Sequence, residues 1–213
     1  ASFVAHANAS LGTRFRVEHW GGPGPNIFEK ITFLCGQQPK DVVKWLFHED
    51  IMCAAVPIPG AQDFVRKLYM YGVELAIATA RPYFQRKATV VWVRHYFPYF
   101  RETRIRLRAK GPDGKLPEVS QFKAQQIRHF RPLVYIEDSG HVAIDLAVKH
   151  QLPCSTVVCL VDRPWNWYER LPRECGRAKR FGYWHIDKSK LNYGWNNLYQ
   201  YIQKKARTAK SSD

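Results

Sequence analysis

PIPGAQDFVRKLYMYGVELAIATARP, residues 57–82, reads as a turn, an amphipathic helix, a glycine-marked link and a strand. Within Gly60 to Tyr71 the apolar positions Ala61, Phe64, Val65, Leu68 and Tyr69 recur at spacings of three and four, which makes one helix face to lay on a sheet. Gly72 ends that helix. Val73-Glu74-Leu75-Ala76-Ile77-Ala78 is then an almost wholly apolar run of strand length, the composition of a central parallel strand buried on both faces. It gives way abruptly to Thr79-Ala80-Arg81-Pro82. Ligands of open α/β sheets sit at such strand ends, although threonine is also a common cap for a following helix.

Downstream the pattern repeats. Phe84 to Tyr96 carries Val90, Val91 and Val93 at helical spacing, with Arg81, Arg86, Lys87 and Arg94 on the remaining positions. Arg104-Ile105-Arg106-Leu107-Arg108 alternates strictly, as an edge strand with one apolar and one cationic face does. A turn at Lys110 to Lys115 precedes a helical segment from Val119 to Phe130. Leu133-Val134-Tyr135-Ile136 is a second buried strand ending in Glu137-Asp138-Ser139-Gly140, and Val142 to His150 is again helical. Adjacent carboxylates at a strand's end either hold a divalent cation or cap the next helix. Ser155 to Val161 is a third apolar strand, ending in Asp162-Arg163-Pro164-Trp165-Asn166. Strands alternating with helices imply an α/β fold with a mainly parallel sheet and helices on both faces.

Upstream, Phe3-Val4-Ala5 is a short apolar entry of strand type, followed by a small polar loop from His6 to Gly12. After the loop Gly21 to Pro25, Ile27 to Phe33 and Asp41 to Phe47 have helical spacing. The expected division is a core of residues 1–13 and 57–202, a small helical cap insertion over 14–56, and a basic tail over 203–213. Trp45, Phe47, Ile51 and Met52 of the insertion are expected to pack rather than to bind.

A chain of 213 residues with 46% hydrophobic content buries a sizeable core. The 33 Lys and Arg residues against 18 Asp and Glu give a net charge of +15, which points to a polyanionic partner. That charge is concentrated: Arg81 to Arg131 holds thirteen basic and three acidic residues, and Arg163 to Asp213 holds twelve and four. Cys35, Cys53, Cys154, Cys159 and Cys175 contain no C-x-x-C pair and read as reduced thiols, without zinc-ligand spacing. No apolar run reaches the length of a membrane span, and the first residues lack the apolar core of a signal peptide, so no membrane partner is expected.

In this order of elements the chain resembles the haloacid dehalogenase-like (HAD) phosphohydrolases, whose core is a mainly parallel Rossmann-like sheet. Pro57-Ile58-Pro59-Gly60-Ala61 and Asp162-Arg163-Pro164-Trp165-Asn166 are similar to the 5'(3')-deoxyribonucleotidase branch, and the resemblance covers roughly Phe3 to Ile202. In that family the first strand delivers D-x-D-x-[TV]-L, whose first Asp attacks phosphorus and whose second protonates the leaving group. Here that register holds His6-Ala7-Asn8-Ala9-Ser10-Leu11, and no D-x-D occurs elsewhere in the chain. The spacing survives and both carboxylates are gone. Asn8 cannot exchange a proton, and His6 adds no negative charge to hold magnesium. The resemblance further matches Thr79 to a phosphate-binding hydroxyl, Lys123 (in preference to Lys115) to the lysine that neutralises transferred phosphate, and Glu137 and Asp138 to the acidic magnesium pair. It implies a pseudoenzyme with vestigial site residues and no cofactor, save weak magnesium binding if the acidic pair is usable. The competing class is a working magnesium-dependent nucleotidase whose positive charge attracts nucleotides.

If catalysis is lost, the surface carries the function, and the expected partner is RNA. The C-terminal region interleaves aromatic residues such as Trp165, Tyr168 and Trp184 with Arg170, Arg173, Arg177, Lys179 and Arg180. Cations meet phosphates, and exposed rings stack on unpaired bases. Arg86, Lys87, Arg104, Arg106 and Arg108 complete the candidate RNA-binding set. Trp195, Leu198, Tyr199 and Ile202 are instead expected to pack as one face of a terminal helix. The expectation is a structural subunit of a large ribonucleoprotein, contacting ribosomal RNA and neighbouring proteins. By analogy with enzyme-derived subunits of organelle ribosomes, a mitochondrial ribosome in the matrix is the specific expectation.

Overall fold

The computed structural model describes residues 8–9, 14, 48–161, 171, 178–181 and 191–210. In chain order the elements are α1 (Glu49–Cys53), α2 (Ala61–Met70), β1 (Ile77–Pro82), α3 (Arg86–Tyr96), β2 (Ile105–Arg108), α4 (Val119–Phe130), β3 (Val134–Glu137), α5 (Gly140–Val148), β4 (Val157–Val161), β5 (Ala178–Phe181) and α6 (Leu191–Lys210). Short 3-10 turns at Tyr83–Gln85 and Glu102–Arg104 precede α3 and β2.

The two glycines that bound α2 act through their backbones. Gly60 precedes the helix at φ 81°. At the other end Gly72 has φ 80°, its N–H donates to the Tyr69 carbonyl at 2.9 Å, and the Val73 N–H donates to the Leu68 carbonyl at 3.0 Å. That pair of bonds is a Schellman closure, which satisfies two carbonyls the helix leaves unpaired and needs a left-handed residue at the position of Gly72.

Two parallel ladders follow, β1 with β2 and β3 with β4 with β5. A helix connects two of the three parallel pairs, α3 between β1 and β2 and α5 between β3 and β4, the crossover that parallel pairing needs. The fold is mixed α/β. Alternation along β4 separates the layers: Val157, Cys159 and Val161 face Phe64 and Leu68 of α2 and Leu198 and Ile202 of α6, whereas Val158 and Leu160 face Ala124 and Ile127 of α4 and Ala143 and Leu146 of α5. Val65 of α2 also reaches the third cluster, formed by Val90 and Val93 of α3 with Ile105 and Leu107 of β2. Among the described residues no helix is long and apolar enough to cross a membrane.

Several boundaries differ from expectation. The first strand starts at Ile77 instead of Val73 and runs through Thr79 to Pro82, because Val73 is still held in the helix-closing turn. β5 was not expected. Its residues Ala178-Lys179-Arg180-Phe181 lie in a stretch read as surface charge, yet they pair with Val158 to Val161. An outer strand tolerates such charge, and lysine there discourages pairing with foreign strands. α6 runs on to Lys210, so residues 203–210 continue the helix that the expected basic tail was to follow. Of the expected insertion the structure describes Arg14 and residues 48–56, where Ile51 and Met52 are buried and α1 packs on α3. Trp45 and Phe47 lie outside the described residues.

Candidate functional site

Helix α4 and strand β3 bring one pair of site residues into contact. The α4 N-terminus is fixed by Glu118, whose carboxylate accepts from the Gln121 N–H at 2.9 Å and lies against the Ser120 hydroxyl. Burial tends to raise the Glu118 pKa, but these hydrogen bonds and His150 hold it down at about 2. One turn further on, Lys123 lies on the buried face with Phe122, Ala124 and Ile127. Its Nζ donates to Glu137 Oε2 at 2.6 Å, with the Lys123 side chain 10% and the Glu137 side chain 2% exposed. The other oxygen, Oε1, accepts the N–H groups of Asp138 at 3.2 Å and Ser139 at 3.1 Å. Burial raises the Glu137 pKa while Lys123 opposes the rise. The neighbouring Tyr135 phenol is pushed well above its ordinary range, first by burial and then by the charges of Glu137 and Asp138.

Chemically, this is a closed anion seat. A lysine and two converging backbone amides form the arrangement that receives a phosphoryl oxygen, and a carboxylate of the same chain takes all three donors. Asp138 is exposed while Glu137 is buried and bonded on both oxygens, so the pair does not present two carboxylates to one cation. These residues therefore do not fit a magnesium site of the expected kind. No group of three metal-ligating side chains occurs among the described residues.

Thr79 lies on β1, where its hydroxyl accepts the Arg81 N–H at 3.3 Å. It makes no hydrogen bond with Lys123 or Glu137. Sequence reasoning passed over Arg81. Its guanidinium donates to Thr89 Oγ1 at 3.3 Å and lies 6.0 Å from the centre of the Trp92 ring, and burial lowers its pKa. No carboxylate among the described residues lies within ion-pair distance of it. The available signal was its position two residues past the strand-end threonine. His6 lies outside the described residues, and Asn8 is half-buried. Lys115 is exposed.

The candidate RNA-binding cations divide. Arg86 donates to the Ile105 carbonyl at 3.2 Å and to Glu102 at 3.3 Å, and Arg108 to the carbonyls of Ala80 at 2.7 Å and Pro117 at 3.1 Å. Arg104 pairs with Glu74, and Arg104 and Arg106 lie 5.5 and 5.6 Å from the Phe130 ring centre. The expected cationic face of β2 thus also fastens the strand to its surroundings. Lys179 sits 4.8 Å from the Tyr201 ring centre, and Arg180 is half-buried in β5. Lys87 is exposed beside Tyr83 and Phe84, which are 56% and 74% exposed. Arg170, Arg173 and Arg177 lie outside the described residues. Arg101, Lys110, Arg128 and Arg131, not singled out from sequence, are exposed with no carboxylate partner among the described residues. Only the net charge of their stretch marked them.

No protein-family model matches the chain, and no curated protein matches it.

Proposed function

We propose that this chain is a catalytically inactive member of the HAD fold, related to deoxyribonucleotidases, that serves as a structural, RNA-associated subunit of a large ribonucleoprotein. A mitochondrial ribosome in the matrix is the assembly we favour. What supports this is the fate of the carboxylates. Glu137 occupies Lys123 and the strand-end amides, and Asp63, Glu74, Glu102 and Asp145 each pair with cations of the same chain. The seat for a transferred phosphate is thereby neutralised, while exposed cations from Lys87 to Arg131 are left for an external polyanion. His6 and Asn8, in place of the two reacting carboxylates, fit the same reading.

Two measurements on the purified chain test it together. Hydrolysis of deoxynucleoside monophosphates and of an aryl phosphate with magnesium should stay at background. RNA affinity should fall with salt, with a log–log slope of about −0.7 to −0.9 per phosphate neutralised and little dependence on base sequence. Magnesium-dependent turnover would favour the second reading, an active nucleotidase, for which Arg81 beside Thr79 is the supporting observation. A salt slope near zero would remove the RNA assignment.

A further inference from the structure

Two arginines at the start of β2 share one aromatic ring of α4. The guanidinium carbons of Arg104 and Arg106 lie 5.5 and 5.6 Å from the centre of the Phe130 ring. Arg104 directly precedes β2 and Arg106 is its second residue, so both stand on the side of the strand opposite the buried Ile105 and Leu107. Glu74 also pairs with Arg104, but a guanidinium carries five N–H donors and one carboxylate uses only part of them. Held against the ring, the two guanidiniums have little rotamer freedom left to lose when an oxyanion binds their N–H edges.

The backbone beside that ring shows a side chain kept against local stability. Among the described residues Arg131 is the one non-glycine residue at positive φ, 47°, and its N–H donates to the Ile127 carbonyl at 2.8 Å to close α4. Glycine takes such a closing position without the strain that a Cβ brings, as Gly72 does after α2. An exposed arginine in glycine's place points to a use for the guanidinium. Cations at a helix C-terminus complement its dipole, but Arg128 and His129 already fill that role in the last turn, and Arg128 donates to the Gln151 carbonyl at 3.1 Å. The position is also apart from the Lys123–Glu137 pair. Arg131 precedes β3 and Glu137 ends it, and Val134–Glu137 alone spans about 10 Å.

We propose that Arg104, Arg106 and Arg131, at Phe130, form a site for the backbone phosphates of an RNA strand, at the amino-terminal edge of β2 and β3. This rests on the RNA reading above and gives it a place. Planar N–H forks match phosphate oxygens at two points each. Because arginines already stack on the Phe130 ring, the contacts go to phosphate and carry no base sequence.

The test uses the full chain, a fluorescein-labelled oligouridine and, for an acidic protein segment as the other occupant, a labelled poly-glutamate peptide. Arg131→Gly should raise Tm by about 2–4 °C, since the turn loses its strain. The same variant should bind oligouridine about tenfold more weakly, with a log–log salt slope shallower by about 0.7. Phe130→Leu, which leaves every charge in place, should weaken binding about threefold. Lys67→Ala removes one charge from α2, where Lys67 pairs with Asp63, and should leave binding unchanged. If the parent binds oligouridine and Arg131→Gly binds it equally well, or Lys67→Ala loses as much, the cluster is overturned while the RNA reading stands. A parent that does not bind oligouridine overturns both. Poly-glutamate binding that Arg131→Gly loses, with oligouridine binding unchanged, assigns the cluster to an acidic protein and refutes the RNA site. A lower Tm for Arg131→Gly would show that the side chain holds the fold, which also refutes it. Should Phe130→Leu fail to fold, Arg131→Gly decides alone.

Discussion

Replacing Lys123 by Met removes the cation that lies 2.6 Å from a carboxylate whose side chain is 2% exposed. Removing one partner of a buried ion pair costs about 3–5 kcal/mol, because the remaining charge stays buried without compensation. Two backbone N–H groups still hold Oε1 of Glu137, which places the expected loss at pH 7 towards the lower end, about 3 kcal/mol. For a chain of this size that corresponds to a fall in Tm of roughly 6–12 °C. The pH dependence is the sharper test. The folded-state pKa of Glu137 is already raised by burial, with Lys123 opposing the rise, and loss of Lys123 raises it further. A carboxyl group whose folded pKa lies above its unfolded value costs nothing below the unfolded pKa and destabilises as pH rises from there through the folded pKa. The deficit of Lys123→Met should therefore be largest at pH 7–8 and shrink as pH falls towards 4.5, by about 1.4 kcal/mol for each unit of upward shift. Urea unfolding of parent and variant across that range measures it. The double variant Lys123→Met/Glu137→Leu should regain most of the loss at every pH, since an apolar pair needs no compensation. A deficit independent of pH, or a double variant worse than the single one, would show that Lys123 acts through packing volume, and the closed anion seat would have to be given up.

Glu137→Ala should open that seat: the variant melts below the parent, but inorganic phosphate at millimolar concentration raises its Tm by several degrees and leaves the parent's unchanged, as differential binding to the folded state requires. An equal response of both proteins would count against the assignment. Gly72→Ala should destabilise by about 1–2 kcal/mol through the left-handed backbone alone, since a Cβ at Gly72 meets nothing within 4 Å. Chemical denaturation measures this, and a neutral outcome would mean that the turn after α2 relaxes into another closure.

The elements that could be read from sequence are those in which one local signal dominates. α2 was legible because a three-and-four spacing is bracketed by Gly60 and Gly72, and β2 because alternation buries Ile105 and Leu107. β5 was illegible for the opposite reason. Lys179 and Arg180 carry no strand signal of their own, and the pairing energy comes from β4, which is remote in sequence. The cations of β2 show the same limit: sequence identifies a cationic face, but that Arg108 spends donors on the Ala80 and Pro117 carbonyls depends on where the neighbouring backbone runs. At the site, Lys123 and Glu137 were each singled out separately, as a phosphate-binding lysine and a magnesium-binding acid. Their direct bond reverses what each can do. A lysine satisfied by an internal carboxylate attracts no phosphate, and a carboxylate bonded on both oxygens has little to offer a metal.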